Sequence, residues 1–294
     1  MHNPERVVLI TMSFKPDTPF CLPDHAVISL QGPDAITFAQ AQFMNDVRAL
    51  APGQWQWNGW LSAKGRLQAL FALLLSEPDR LLAIVRGGDA EALAAQWQRF
   101  VFRSKLSVRA VAEISVAGVF AAQTTPNPAN ALACLPLASE PARALCLFDH
   151  PIAADAEAQR HWRLADIAQG LPWLESSQVD SWTPQMLSLD RLSAFSLKKG
   201  CYPGQEIVAR THFLGQAKRS LVRLALPVAL AVGDEITCDG RSLGTLVCAE
   251  QANDGWQALA VLPSDRPQGL VCAGNAAEQQ AFAPPPLPRG AEPH

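Results

Sequence analysis

The chain has 294 residues, 49% of them hydrophobic and 17% charged, with a formal net charge of −3. That length and apolar content suit two or three packed units and exclude wholesale disorder, while the weak charge gives no global sign of a nucleic-acid glove or a membrane-surface binder. Seven scattered cysteines include no Cys-x-x-Cys pair for zinc or an iron–sulfur cluster, so Cys21, Cys134, Cys146, Cys238, Cys248 and Cys272 read as reduced buried thiols.

In chain order, residues 1–22 read as a loose leader, with Met12 an alternative start. Val7-Val8-Leu9-Ile10 is too short for a signal core, and no run reaches the roughly 18 apolar residues of a membrane span. These features point to a cytoplasmic protein without a membrane partner. Ala26–Leu30 reads as a strand, and Asp34 as the cap of a helix from Ala35 to Phe43. Strands follow at Gln54–Trp57, Leu67–Leu75 and Leu81–Val85. Asp89 caps a helix expected over Ala90–Phe102, whose Leu93, Trp97 and Val101 form a core stripe. Ser107–Val111 and Ile114–Phe120 complete a rhythm like the split βαβ motif.

After the polar loop Gln123–Asn130, strands are expected at Ala144–Phe148 and Arg163–Ile167, with a short helix near Ala153–Gln159 and another over Pro184–Leu192. From Lys218 the pattern changes to short strands (Leu221–Leu226, Glu235–Cys238, Leu243–Ala249, Gln257–Val261) with Asp239-Gly240 and Asp254-Gly255 turns, a small antiparallel barrel. The run Ala283-Pro284-Pro285-Pro286-Leu287-Pro288 reads as part of a disordered tail, 278–294.

Nucleotide loops, serine elbows and zinc motifs are absent. One segment stands out: Leu197-Lys198-Lys199-Gly200-Cys201-Tyr202-Pro203-Gly204-Gln205-Glu206. Pro203 suits the first position of a helix from about Gly204 to Leu214. Cys201 then precedes a helix N-terminus beside two lysines, a setting that favours thiolate. Gly200 permits close approach or positive φ. On these grounds alone the segment is equally readable as a tight loop and helix cap.

Lys199 to Thr211, Lys-Gly-Cys-Tyr-Pro-Gly-Gln-Glu-Ile-Val-Ala-Arg-Thr, resembles the signature of the YgfZ family of folate-binding proteins, relatives of the glycine cleavage T-protein. Gly32-Pro33-Asp34-Ala35, Gln40, Gln42, Asn45-Asp46-Val47, Ala63-Lys64-Gly65-Arg66, Gly170-Leu171-Pro172, Thr183-Pro184-Gln185-Met186 and Lys218-Arg219 are similar in order, so the likeness spans residues 24–262.

The resemblance implies an α+β fold: a GcvT-like three-domain ring of two ferredoxin-like units (23–122 and 123–217) and a C-terminal barrel (218–277). It implies a central cavity for tetrahydrofolate, with iron–sulfur proteins or their assembly factors as partners, including enzymes that modify tRNA. Cys201 is then the reactive residue, and no metal is held. Trp162 would stack on the pterin, with Tyr202 and His25 as further contacts; His25 falls where relatives carry tryptophan. Lys199 and Arg210 would neutralise the glutamyl tail.

Two alternatives stay open. A folate-dependent aminomethyl or one-carbon transferase lacks a placeable acid, since Asp89 is better explained as a cap. A direct tRNA binder would use Arg210, His212, Lys218, Arg219 and Arg223, but overall acidity and missing aromatic interleaving argue against it.

Overall fold

The computed structural model describes residues 15–87, 89–121, 128–139, 141–215 and 217–288. The possible start at Met12 and most of the polar loop lie outside them.

The first unit holds β2 (His25–Gln31), α1 (Ala35–Gln42), β3 (Trp55–Leu61), β4 (Leu67–Glu77), β5 (Arg80–Arg86), α2 (Ala90–Gln98) and β6 (Ser107–Ala110). Its antiparallel sheet runs β3-β4-β5-β2-β6. Both faces are covered, which explains the continuous apolar runs of β4 and β5. Because side chains alternate across a strand, Phe71, Leu73 and Leu75 meet the layer of α1 and α2, while Ala72 and Leu74 face the centre of the molecule.

The second sheet joins β1 (Phe20–Cys21), β7 (Ser115–Phe120), β8 (Ala133–Ala138), β9 (Arg143–Phe148) and β17 (Leu287–Pro288) in the order β1-β7-β9-β8-β17, with α3 (Ala156–Gln169) packed near it. The third, nearly closed sheet follows α4 (Gln205–Leu214). It contains β10 (Arg219–Leu226), β11 (Glu235–Cys238), β12 (Arg241–Ala252), β13 (Gly255–Pro263), β14 (Val271–Cys272), β15 (Asn275–Ala276) and β16 (Glu278–Gln280). A single apolar cluster includes Trp57 and Leu74 from the first sheet, Leu145 and Leu147 from the second, and Val247 and Leu259 from the barrel. The three units therefore close around one shared core.

Several local expectations need correction. Arg163–Ile167 is not a strand; it lies inside α3, whose buried Ala158, His161, Trp162, Asp166 and Ile167 recur at helical spacing. Asp155 caps that helix, and Gly170 ends it at φ +70. Five residues were too few to reveal the period. Pro184–Leu192 forms successive turns rather than a helix. Ser188 sits at φ +50, and its hydroxyl accepts from Leu221 N–H at 3.2 Å, tying the segment to the barrel. Asp34 makes no side-chain cap; its carboxylate accepts from Lys105 N–H at 2.6 Å.

The boundary at 122/123 moves back, because β7 pairs with β9 in the second sheet. The leader is not loose throughout: Phe20 and Leu22 are buried, and β1 pairs with β7. Cys134 and Cys146 face each other across β8 and β9 as a disulfide, so they are not separate thiols. The tail expected to be disordered is strand-paired over 278–280 and 287–288. Pro286 accepts from the Trp57 indole at 2.7 Å, and Leu287 is buried. Free sheet edges supplied partners that composition could not reveal.

Candidate functional site

The register of β2 and β5 sets His25 directly opposite Arg86. Both side chains enter a cavity at the junction of the units, with Trp57 from β3, Leu137 and Leu145 from the second sheet, and Trp162 and Asp166 from α3. As it stands the cavity measures about 20 Å³, room for one water.

Its polar wall is a buried ionic network. Arg86 pairs with Asp166 and, at 3.0 Å, with Asp24, while its guanidinium stacks 4.1 Å above the Trp173 ring. Arg143 reaches Asp166 at 2.6 Å and Gln169, and lies 4.4 Å above Trp162. Asp166 thus sits between two guanidinium groups, with both Arg143 and Asp166 fully buried. His25 binds Asp24 at 2.8 Å. Burial alone would raise the Asp24 carboxyl, but hydrogen bonding and charge from His25, with Arg86, hold it well below the usual carboxylate range. Burial pushes the Arg143 guanidinium down against the pull of Asp166, and pushes the His25 imidazole below its ordinary 6.5 despite Asp24.

The His25 shift has a measurable consequence. An unfolded histidine takes up its proton near pH 6.5, and the folded one only lower, so the unfolded state binds more protons as pH falls below that value. Stability should therefore decline from pH 7 to pH 5, by at most about 1.4 kcal/mol per pH unit for this group. Asp24 contributes nothing to that slope, because its share is lost only below its unfolded value near 3.9. Melting temperatures at pH 5, 6 and 7 should fall less for His25→Asn, with His161, also lowered by burial, supplying the remainder. Identical slopes in wild type and variant would remove His25 as the cause.

Of the residues singled out from sequence, the cavity brings together His25 and Trp162. Trp162 is a wall rather than a free plate: it is 2% exposed and packs edge-on against Phe20 and Phe120. Lys198, Lys199, Gly200, Cys201 and Tyr202 belong to a separate neighbourhood, and Arg210 is exposed on α4. The Lys199 ammonium donates to the carbonyls of Phe43 and, at 2.9 Å, Asn45, and lies 5.0 Å from the Tyr202 ring centroid. Burial pulls Lys199 down to about 8 and pushes Tyr202 up to about 12. Lys199 is an anchor of the loop, and Tyr202 is buried beneath it.

Gly204, rather than Gly200, carries the conformational demand. Its φ is +77, and a Cβ there would meet Ser62 O at 2.6 Å and Gly65 Cα at 2.7 Å; Gly200 has open space around it. Pro203 precedes the cap position, α4 starts at Gln205, and Glu206 is exposed in its first turn. The Ala63–Arg66 turn and the motif thus fit together glycine to glycine. Asn45 joins the two neighbourhoods: its amide donates to Trp57 O at 2.9 Å and Ser193 O at 2.7 Å, while its carbonyl receives Lys199.

Cys201 is exposed, and its Sγ has no hydrogen-bond partner among the described residues. Asp89 accepts from Glu91 and Ala92 N–H at 2.9 and 3.0 Å, a cap. Sequence reasoning missed Arg86, Arg143 and Asp166. Only a charge inside an apolar run, as at Arg143 before Ala144–Phe148, signals such a network.

No family model matches the chain. Among curated proteins it is 29% identical to the "tRNA-modifying protein YgfZ" of Klebsiella pneumoniae (strain 342), covering 84% of this chain and 85% of that one. It is also 29% identical to the protein of the same name from Edwardsiella ictaluri (strain 93-146), covering 91% of each. The chain is thus similar to proteins named YgfZ over most of both lengths. Among solved structures, the glycine cleavage system aminomethyltransferase T from Bartonella henselae superposes with a TM-score of 0.70 at 15% identity, covering 91% of this chain and 85% of that one. That likeness establishes the fold. No helix among the described residues is long and apolar enough to cross a membrane.

Proposed function

We propose that this chain is a folate-binding accessory protein that supports tRNA modification through iron–sulfur proteins, acting in the cytoplasm with Cys201 as its reactive group. The observation that carries the folate part is the cavity itself. Two indoles, Trp57 and Trp162, supply aromatic walls, and Asp166 offers a buried carboxylate to a ring edge bearing N–H donors. The donor set suits a pterin; the present volume suits a water. Entry therefore requires a wall to move. The tail near Phe282–Pro288 does not line the cavity but holds the lining residues Trp57 and Leu137, and it can leave without opening a sheet interior, since β17 pairs only at the β8 edge. Bound tetrahydrofolate would supply one-carbon chemistry, while the chain's own residues orient its ring and exclude water. The tRNA part is supported by the names of the relatives.

A transferase reading has no observation of its own, because the Asp89 carboxylate is engaged in capping α2. Titration with tetrahydrofolate, followed by tryptophan fluorescence, tests the proposal. Saturable quenching is expected, weakened at least tenfold by Trp162→Ala. No saturation up to about 1 mM, a binding energy of only about 4 kcal/mol, would overturn the folate reading.

A further inference from the structure

The turn after α2 reads Arg99-Phe100-Val101-Phe102-Arg103-Ser104-Lys105. Sequence periodicity assigned its first four residues to the helix, which hid their character; α2 in fact ends at Gln98. Released from the helix, Phe102 is 85% exposed and Phe100 41% exposed. Arg99, Arg103 and Lys105 are also exposed, and none has an ion-pair partner among the described residues.

This corner is held in shape. Asp34 grips Lys105 N–H at 2.6 Å, and the Gln98 amide oxygen accepts from Val108 N–H at 2.9 Å. Gly32 lets the strand end approach, since a Cβ there would lie 2.3 Å from Lys105 O. Within the turn, Phe102 N–H donates to Phe100 O at 3.1 Å. The Phe100 ring is braced edge-on against Trp60, with centroids 6.0 Å apart at 74°. Two large apolar rings are thus presented to solvent on a braced backbone, at an apolar cost to the isolated protein that a bound partner would remove.

We infer that the 99–105 corner is a docking surface for an unpaired stretch of RNA, with bases stacking on Phe100 and Phe102 and phosphates meeting Arg99, Arg103 and Lys105. Two rings flanked by cations match the chemistry of a single strand, in which each nucleotide offers a π-face and an anion. A bilayer would meet the chain as a plane and so also meet its acidic remainder, the net charge being −3. A single strand can follow one corner alone. Where the 210–223 strip carries the single phenylalanine Phe213, this corner sets two rings beside its cations. The choice of RNA rests on the tRNA-modification reading; the surface itself does not.

Fluorescence anisotropy of the full chain with a labelled oligouridylate and with total tRNA tests the inference at about 50 and 200 mM salt. Binding should weaken with salt. Phe102→Ala should lower affinity by roughly 5- to 150-fold, the range of one lost stacking contact, and Phe102→Trp should retain it. Arg103→Ala should reduce the log–log salt slope by about 0.7, the value for one phosphate of a single strand. Arg241→Ala, an exposed charge on the barrel, should change neither. Unchanged melting temperatures would show that the variants fold. No binding at low salt, or binding indifferent to both Phe102→Ala and Arg103→Ala, overturns the inference. Equal, Phe102-dependent binding to phosphatidylserine vesicles or polyglutamate overturns it in favour of a membrane or an acidic protein. None of these failures touches the folate titration, which reports on a different site.

Discussion

Cys201→Ala is expected to abolish the cellular role of the protein while leaving its fold intact. The loop that carries the thiol is built without it. Lys199 anchors one side on Phe43 and Asn45, Tyr202 is buried beneath, and Gly204 locks against Gly65 on the other side. The thiol is exposed and holds nothing among the described residues. Removing an exposed group of this kind typically changes stability by no more than about 0.5 kcal/mol, a shift of a few degrees at most in melting temperature. The functional loss should be complete, because no other exposed free cysteine stands among the described residues: Cys21 is half-buried, and Cys238, Cys248 and Cys272 are buried. The measurement is the fraction of tRNA carrying a nucleoside made by an iron–sulfur enzyme, in cells lacking the native protein. Cys201→Ala and Cys201→Ser should both match the empty vector. Full rescue by either would mean that the segment serves the fold alone.

Asp166→Ala should be the most damaging single change to stability. It leaves Arg143 fully buried with only neutral acceptors, Trp162 O and Gln169, and leaves Arg86 with Asp24 alone. Breaking a buried ion pair from one side typically costs about 3–5 kcal/mol, since the remaining charge keeps its desolvation penalty without its partner. Against a total stability of about 5–15 kcal/mol, that is a large fraction. The urea midpoint should fall steeply. Asp166→Leu combined with Arg143→Met should recover part of the loss, because the uncompensated charge is then gone. A cost under about 1 kcal/mol for Asp166→Ala would show that water reaches the network. Folate affinity should fall with it, as Asp166 lines the cavity.

Both expectations concern sites of unequal visibility in the sequence. The Cys201 segment was conspicuous because its information is local: a run of residues that must form one loop and one helix start. Even there, the sequence drew attention to Gly200, whereas the structure gives the demanding conformation to Gly204. The reason is distant, since Gly204 is constrained by Ser62 and Gly65 across the fold. Lys199 reads as a free cation, yet it is an anchor, because the carbonyls it meets come from residues 43 and 45. The exposed Phe102 reads as helical because the Leu93-Trp97-Val101 period runs past the true end of α2.

By itself the sequence determined the alternation of elements in the first unit, the barrel that follows Lys218, the apolar strands β4 and β5, and the position of the Cys201 segment. These follow from periodicity, turn chemistry and a long local motif, each expressed within a few residues of itself. Only the tertiary structure decided which sheet β7 joins, that the proline-rich tail covers Trp57, and that Arg86, Arg143 and Asp166 meet around one cavity. Each of those depends on register and on free edges between segments far apart in the chain, where pairing energy is shared by both partners and written in neither alone.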